Sequence, residues 1–287
     1  MKKAVLAVAM AALCAAAVSA QAVKEAEPND KREQAQAIRV GIGVEGLYQV
    51  DRDLDFFKFT LDGPGRTMVQ IDLSAVPGSN RSLYLYNDQG RQIWEELGED
   101  ALSIFGLALA PGTYYVATSA WKANVRDKYV LGVADLGPWK EGMEAEPNKD
   151  AATATEIRLG QSVEGYFNAG GDSDFYKLTV DKPGKNLVQV DLSGAPSVRS
   201  TLRILGADQN ELWETNNPTH GEPASVSCFT VSEGVYYLVI QGSHKNKAVR
   251  YVLNARILGP WQEGQEAEPN QKKEWANPFV SAYFGKS

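Results

Sequence analysis

The chain has 287 residues, with 29 Lys and Arg set against 36 Asp and Glu, a formal charge of −7. That balance argues against a nucleic-acid or anionic-membrane partner, because each phosphate contact calls for a basic side chain. Two cysteines, Cys14 and Cys228, are too few for a disulfide framework, so stability has to come from packed cores.

Residues 1–20 read as an export signal: Lys2 and Lys3 form a basic start, Ala4–Val18 an apolar run, and Val18-Ser19-Ala20 a small-residue cleavage site. Leu13 is not the small residue expected before a lipidated cysteine, which favours a soluble product, periplasmic or extracellular. Cleavage leaves 27 basic against 36 acidic side chains, a charge of −9, with Cys228 as the remaining cysteine, expected to be a packed or partly buried thiol. Nothing else approaches the roughly 20 consecutive apolar residues of a membrane span, so no integral membrane span is expected.

The pentapeptide Glu-Ala-Glu-Pro-Asn then begins at Glu25 and returns at Glu144 and Glu266. Between its copies Val44–Ser74 aligns without a gap on Val163–Ser193, so the chain is a tandem repeat. The expected organisation is a first domain over residues 21–135, a linker at 136–143, a second domain at 144–257, and a repeated linker with an aromatic tail at 258–287.

Within each unit the apolar period is two. Val69, Ile71 and Leu73 alternate with Met68, Gln70 and Asp72, and Val188, Val190 and Leu192 alternate with Gln189 and Asp191. In the first unit strands are predicted near 44–49, 55–61, 67–73, 82–87, 91–95, 103–110, 113–119 and 127–134, separated by turn chemistry such as Asn87-Asp88-Gln89-Gly90 and Pro111-Gly112. Helical turns are expected only near Lys31–Gln36 and Asp150–Thr155. The fold class is all-β: two tandem jelly-roll-like antiparallel β-sandwiches. Trp139 and Trp261 recur in Leu-Gly-Pro-Trp joins and are expected to pack on a sandwich. The tail carries Trp275, Phe279 and Tyr283 at spacing four, with Phe284, and suits either docking or capture by a partner.

The Glu-Pro-Asn opening, the Val-Glu-Gly before an acidic strand, the Asp-x-Asp-Phe-Tyr type motif, and the closing Gly-x-Tyr-Tyr followed by Tyr-Val-Leu resemble the bacterial pre-peptidase C-terminal domain over residues 25–135 and 144–257. The resemblance implies a secreted jelly-roll-like sandwich of the kind appended to extracellular enzymes, similar to the calcium-binding, collagen-binding type of collagenases. It implies calcium ligands at Glu25, Glu27, Asn29, Asp30, Asp53 and Asp55 in the first unit. In the second it implies Glu144, Glu146, Asn148, Asp172 and Asp174, with Lys149 standing where Asp30 does. No peptidase domain precedes the repeats in this sequence, so the role of tail to a catalytic domain is not carried over.

The residues make their own case for a cation. In an extended segment Glu25, Glu27 and Asn29 fall on one side, and Asp51, Asp53 and Asp55 do likewise, a density of oxygen that suits calcium. The same acids also suit a solvated domain edge that discourages strand pairing. The Asp-x-Asp-Phe motif can also hold a turn while Phe56 or Phe175 enters the core. His220 and His244 read as surface loop residues, and no zinc or nucleophile motif accompanies them. The expected function is non-catalytic binding of an extracellular or envelope partner: a polysaccharide, a matrix protein or another envelope component. Tyr84, Tyr86, Trp94 and Trp213 are contacts if they turn outward. The alternative is an assembly subunit of an envelope complex that uses the aromatic tail, and an enzyme stands third.

Overall fold

The computed structural model describes residues 22–168, 171, 173–217 and 219–270. The expected export signal, Asp172 and the tail residues Trp275, Phe279, Tyr283 and Phe284 lie outside the described residues. Among the described residues two compact units are present: 22–140 with Ala145–Pro147, and Glu141–Glu144 with 148–270.

The first unit contains β1 (Val23–Lys24), β2 (Gln36–Ala37), β3 (Val44–Tyr48), β4 (Leu54–Leu61), β5 (Thr67–Leu73), β6 (Arg81–Tyr86), β7 (Gln92–Gly98), β8 (Leu102–Leu109), β9 (Gly112–Ala120) and β10 (Asn124–Pro138). One sheet has the order β1-β3-β10-β5-β8 and the other β2-β4-β9-β6-β7. The second unit contains β11 (Thr155–Ile157), β12 (Ser162–Phe167), β13 (Ser173–Val180), β14 (Asn186–Leu192), β15 (Ser200–Leu205), β16 (Glu211–Asn216), β17 (Ala224–Val231), β18 (Gly234–Gly242) and β19 (Asn246–Pro260). Its sheets run β12-β19-β14-β17 and β11-β13-β18-β15-β16, the order of the first unit except that β1 has no counterpart strand. Val69 in β5 and Val188 in β14 therefore hold equivalent positions, and the all-β, two-sandwich expectation describes both units.

Each core is the set of inward positions of its two sheets. In the first unit Phe57, Phe59, Ile71, Leu83, Val116 and Leu131 are buried in one cluster, and in the second Tyr176, Leu178, Val190, Leu202, Leu238 and Leu253 form its counterpart. One expectation fails here. Phe57 and Tyr176 enter the cores, whereas Phe56 and Phe175 face outward and are half-buried, because they alternate with the buried Asp55 and Asp174. A 3-10 turn at Arg32–Gln34 falls where a helical turn was expected. At Asp150 the chain instead makes an Asx turn, its Oδ1 accepting from the N–H groups of Ala152 at 3.0 Å and Thr153 at 2.9 Å.

Several repeated residues prove to be fastenings. Tyr114 donates its hydroxyl to the Ala110 carbonyl at 3.0 Å, and Tyr236 to the Ser232 carbonyl at 3.3 Å, which ties the turn before β9 and β18 to the strand. Trp139 and Trp261 are half-buried, and their N–H groups bond the carbonyls of Arg66 and Lys185 at 2.9 Å each. Cys228 is partly buried, as expected. Among the described residues no helix is long and apolar enough to cross a membrane.

Candidate metal centre

The first pentapeptide crosses from one sheet to the other. Before it, β1 pairs in parallel with β3, and Glu25 N–H bonds the Glu45 carbonyl at 2.8 Å. After it, Phe56 N–H in β4 bonds the Asn29 carbonyl at 2.9 Å. Glu25, Glu27 and Asn29 are thereby carried across the end of the sandwich, above the inward face of β4 where Asp55 sits.

The side chains converge there. Asn29 donates Nδ2 to Glu25 Oε1 at 3.0 Å, and Asn29 N–H bonds Glu27 Oε2 at 3.0 Å. Carboxylate oxygens of Glu25, Glu27 and Asp55 lie within 4.8 Å of one another. Tyr129 of β10 reaches both Glu25 Oε1 at 2.6 Å and Asp55 Oδ2 at 2.8 Å. Such an approach needs Gly46: a Cβ there would stand 2.4 Å from the Tyr129 hydroxyl and 2.5 Å from Glu25 Oε2, the oxygen that accepts from Leu47 N–H at 3.1 Å.

Charge makes this cluster costly on its own. Tyr129 has one hydroxyl proton for two carboxylates, so the remaining negative charge must be met by a bound proton or a cation. Burial, then repulsion from Glu25, pushes the Asp55 carboxyl up to about 8, with the Tyr129 hydrogen bond pulling the other way. Burial also raises Glu27 against the pull of the Asn29 N–H bond, with smaller repulsions from Glu25, Asp53 and Asp30. Asn29 and Asp55 are fully buried, and Asn29 Oδ1 and Asp55 Oδ1 have no hydrogen-bond partner among the described residues. Two buried oxygens without a hydrogen-bond donor, in a group of gathered carboxylates, fit a hard cation.

The other expected ligands stand apart. Asp53 is buried, but its Oδ2 accepts from Gln49 N–H and so holds the turn into β4. Asp51 does not share its face: Arg52 is left-handed at φ 61°, and Asp51 instead caps Ala123 N–H at 3.0 Å. Asp30 is exposed, contributing through charge alone.

In the second unit Glu144 N–H bonds the Glu164 carbonyl at 2.9 Å and Phe175 N–H the Asn148 carbonyl at 2.8 Å, the same crossing. Glu144 and Asp174 are buried there, whereas Glu146, expected beside them, belongs to the first unit. Glu144 Oε1 accepts from Tyr251 at 2.8 Å, Tyr176 at 2.9 Å and Asn148 Nδ2 at 3.2 Å, and Tyr251 also reaches Asp174 Oδ2 at 2.6 Å. Burial raises the Glu144 carboxyl against these donors and the Tyr166 N–H. The second unit thus carries an additional hydroxyl, Tyr176, at the place of Phe57, and Gly165 makes the room that Gly46 makes in the first. Tyr129, Tyr176, Tyr251 and the two glycines were not read as site residues, although Val-Glu-Gly and Tyr-Val-Leu recur at matched positions and carried the signal.

A second feature lies on the outer face of the first unit. Register places Phe56, Ala117 and Tyr84 side by side, and Lys58, Tyr115 and Tyr86 in the next row. Ring centroids of Phe56 and Tyr86 are 6.0 Å apart and those of Tyr84 and Tyr86 6.2 Å, while Arg32 lies 5.5 Å over Tyr115. Gln92 and Glu95 of β7 continue the two rows. The same rows of the second unit hold Phe175, Val239 and Arg203, then Lys177, Tyr237 and Leu205, so two of the rings are lost. Trp94 and Trp213 pack against the cores. His220 and His244 are exposed loop residues, with ring centroids 6.0 Å apart.

No family model and no curated protein matches the chain. Solved structures do. The pre-peptidase C-terminal domain of a collagenase from Bacillus anthracis is similar at 19% identity and a TM-score of 0.29, covering 36% of this chain and 94% of that one. A structure of the M60 catalytic domain with two CBM51 domains from Clostridium perfringens ZmpB is similar at 9% identity and a TM-score of 0.21, over 74% of this chain and 36% of that one. The PBSX exported protein XepA is similar at 9% identity and a TM-score of 0.25, over 75% of this chain and 86% of that one.

Proposed function

We propose that this is an exported, non-catalytic binding protein that holds a polysaccharide on the outer face of its first sandwich, with calcium closing the sandwich ends. The observation that carries the reading is the block of Phe56, Tyr84, Tyr86 and Tyr115 on three adjacent strands, half-buried and turned away from the core. Aromatic faces stack on the apolar faces of sugar rings, and the hydroxyls of the tyrosines with Gln92, Glu95 and Lys58 supply the polar contacts that orient a glycan. A sheet held by two ladders presents these rings without having to order them on binding, which favours affinity. In the first unit calcium would be held by Glu25, Glu27, Asn29 and Asp55, and in the second by Glu144 and Asp174. Bound there, it supplies positive charge to carboxylates that the fold has already gathered.

A polysaccharide array probed with the full chain tests the glycan reading. Tyr84→Ala with Tyr86→Ala should weaken the retained ligand by about tenfold or more, at about 1 kcal/mol per ring, while leaving the melting temperature of the protein nearly unchanged. Retention that survives the double substitution, or an array with no retained glycan, would contradict it.

A further inference from the structure

Two of the three pentapeptides are docked as added strands, and the third pentapeptide is one of these two. Within the first unit Glu146 is bridged in parallel to Leu107 of β8: Glu146 N–H bonds the Gly106 carbonyl at 3.3 Å, and Ala108 N–H bonds the Glu146 carbonyl at 2.9 Å. Within the second unit Glu268 is bridged in parallel to Phe229 of β17: Glu268 N–H bonds the Cys228 carbonyl at 2.9 Å, and Thr230 N–H bonds the Glu268 carbonyl at 2.6 Å. Both edges carry a bulge with a left-handed residue, Gly106 at φ 82° and Cys228 at φ 57°, and it is the carbonyl of that residue that accepts. The docked alanines are buried, Ala145 at 4% and Ala267 at 2% relative exposure.

The first copy has the same local shape and no such edge. Asn29 N–H bonds Glu27 Oε2 at 3.0 Å, as Asn270 N–H bonds Glu268 Oε2 at 2.9 Å. Yet Ala26 and Glu27 are exposed, and the N–H and carbonyl of Glu27 have no hydrogen bond among the described residues. Its side chains already serve the first sandwich, and docking uses only the opposite side, the main chain of Glu27 and the methyl of Ala26.

We propose that the first pentapeptide is a strand donor for the bulged β17 edge of a second copy, exchanging with that copy's own third pentapeptide and joining chains head to tail. The occupant is set by the molecule itself, because both docked edges accept this five-residue sequence in this register, a strand-addition mode whose specificity comes from main-chain pairing. The third pentapeptide then acts as a cap: tethered on its own chain, it outcompetes the donor of another molecule at low concentration.

The test opens the β17 edge in the full chain. Ala267→Arg and Ala267→Glu place a charge of either sign where a methyl is buried, and hydrogen exchange at the Thr230 amide in dilute solution, where no donor occupies the edge, identifies the variant in which the cap has left. That variant should gain mass with concentration in sedimentation equilibrium, up to about 1 mM protein, while the native chain stays monomeric. Adding Ala26→Arg to the same chain should return it to monomer without altering the first transition on heating. A monomer despite an exposed Thr230 amide would overturn the proposal, as would assembly that persists with Ala26→Arg. A Thr230 amide still protected in both variants in dilute monomeric solution would overturn it as well, since a cap that does not leave cannot be exchanged.

Discussion

Tyr129 and Gly46 set the terms of the first acidic site. Tyr129 comes from β10, 104 residues beyond the Glu25 it touches, and it enters through space that a side chain at position 46 would fill. Gly46→Ala should therefore cost about 2 kcal/mol, a small-to-large change against a fixed ring and a carboxylate, and urea unfolding would register it as a lower midpoint. Gly165→Ala should act alike, with its Cβ 2.5 Å from the Tyr251 hydroxyl. Asp55 gives the site its pH dependence. Its carboxyl is raised to about 8 in the folded chain from the ordinary 3.8, so its contribution to stability is present below pH 4 and is lost as pH rises toward 8, when the buried charge is uncovered. A cation that pairs with the ionised carboxylates reverses that loss and binds more tightly as pH rises.

Strands and their order in sequence were legible because period two survives in strands such as β4, β12 and β13. The phase of that alternation was not legible in β4, where Phe56 and Phe57 are adjacent and either one fits the inward face. The structure decides for Phe57 because Asp53 and Asp55, four and two residues earlier, point inward to the turn and to the site. Matched spacing of Glu25, Glu27 and Asn29 revealed one half of the acidic site. Its tyrosines were hidden because the pairing of β10 with β3 is a long-range contact that no local pattern reports. Arg81 was hidden for a related reason: it opens β6 as a polar residue, yet it is fully buried, its guanidinium donating to the carbonyls of Ser74, Glu99 and Asp100 and its Nε to Ser79. One side chain thus pins the loop after β5 to the loop before β8. Arg81→Ala should cost about 3 kcal/mol or more by stranding those carbonyls, and hydrogen exchange should rise first in residues 74–80 and 98–101.

At the scale of the whole molecule, each sandwich buries its core without a disulfide and then gathers carboxylates where its two sheets meet. Proteins seldom bury like charges without a compensating partner, and the Glu25–Tyr129–Asp55 arrangement of the first unit returns as Glu144–Tyr251–Asp174 in the second. The central claim is that the compensating partner is calcium. Calorimetry of the full chain, with calcium and with chelator at about pH 5 and about pH 8, tests it most directly. Calcium should raise the melting temperature at both values, by a larger increment at the higher pH, and Asp55→Asn should reduce the increment of the first transition while leaving that of the second. Melting temperatures that are the same with calcium and with chelator at the higher pH would contradict the claim.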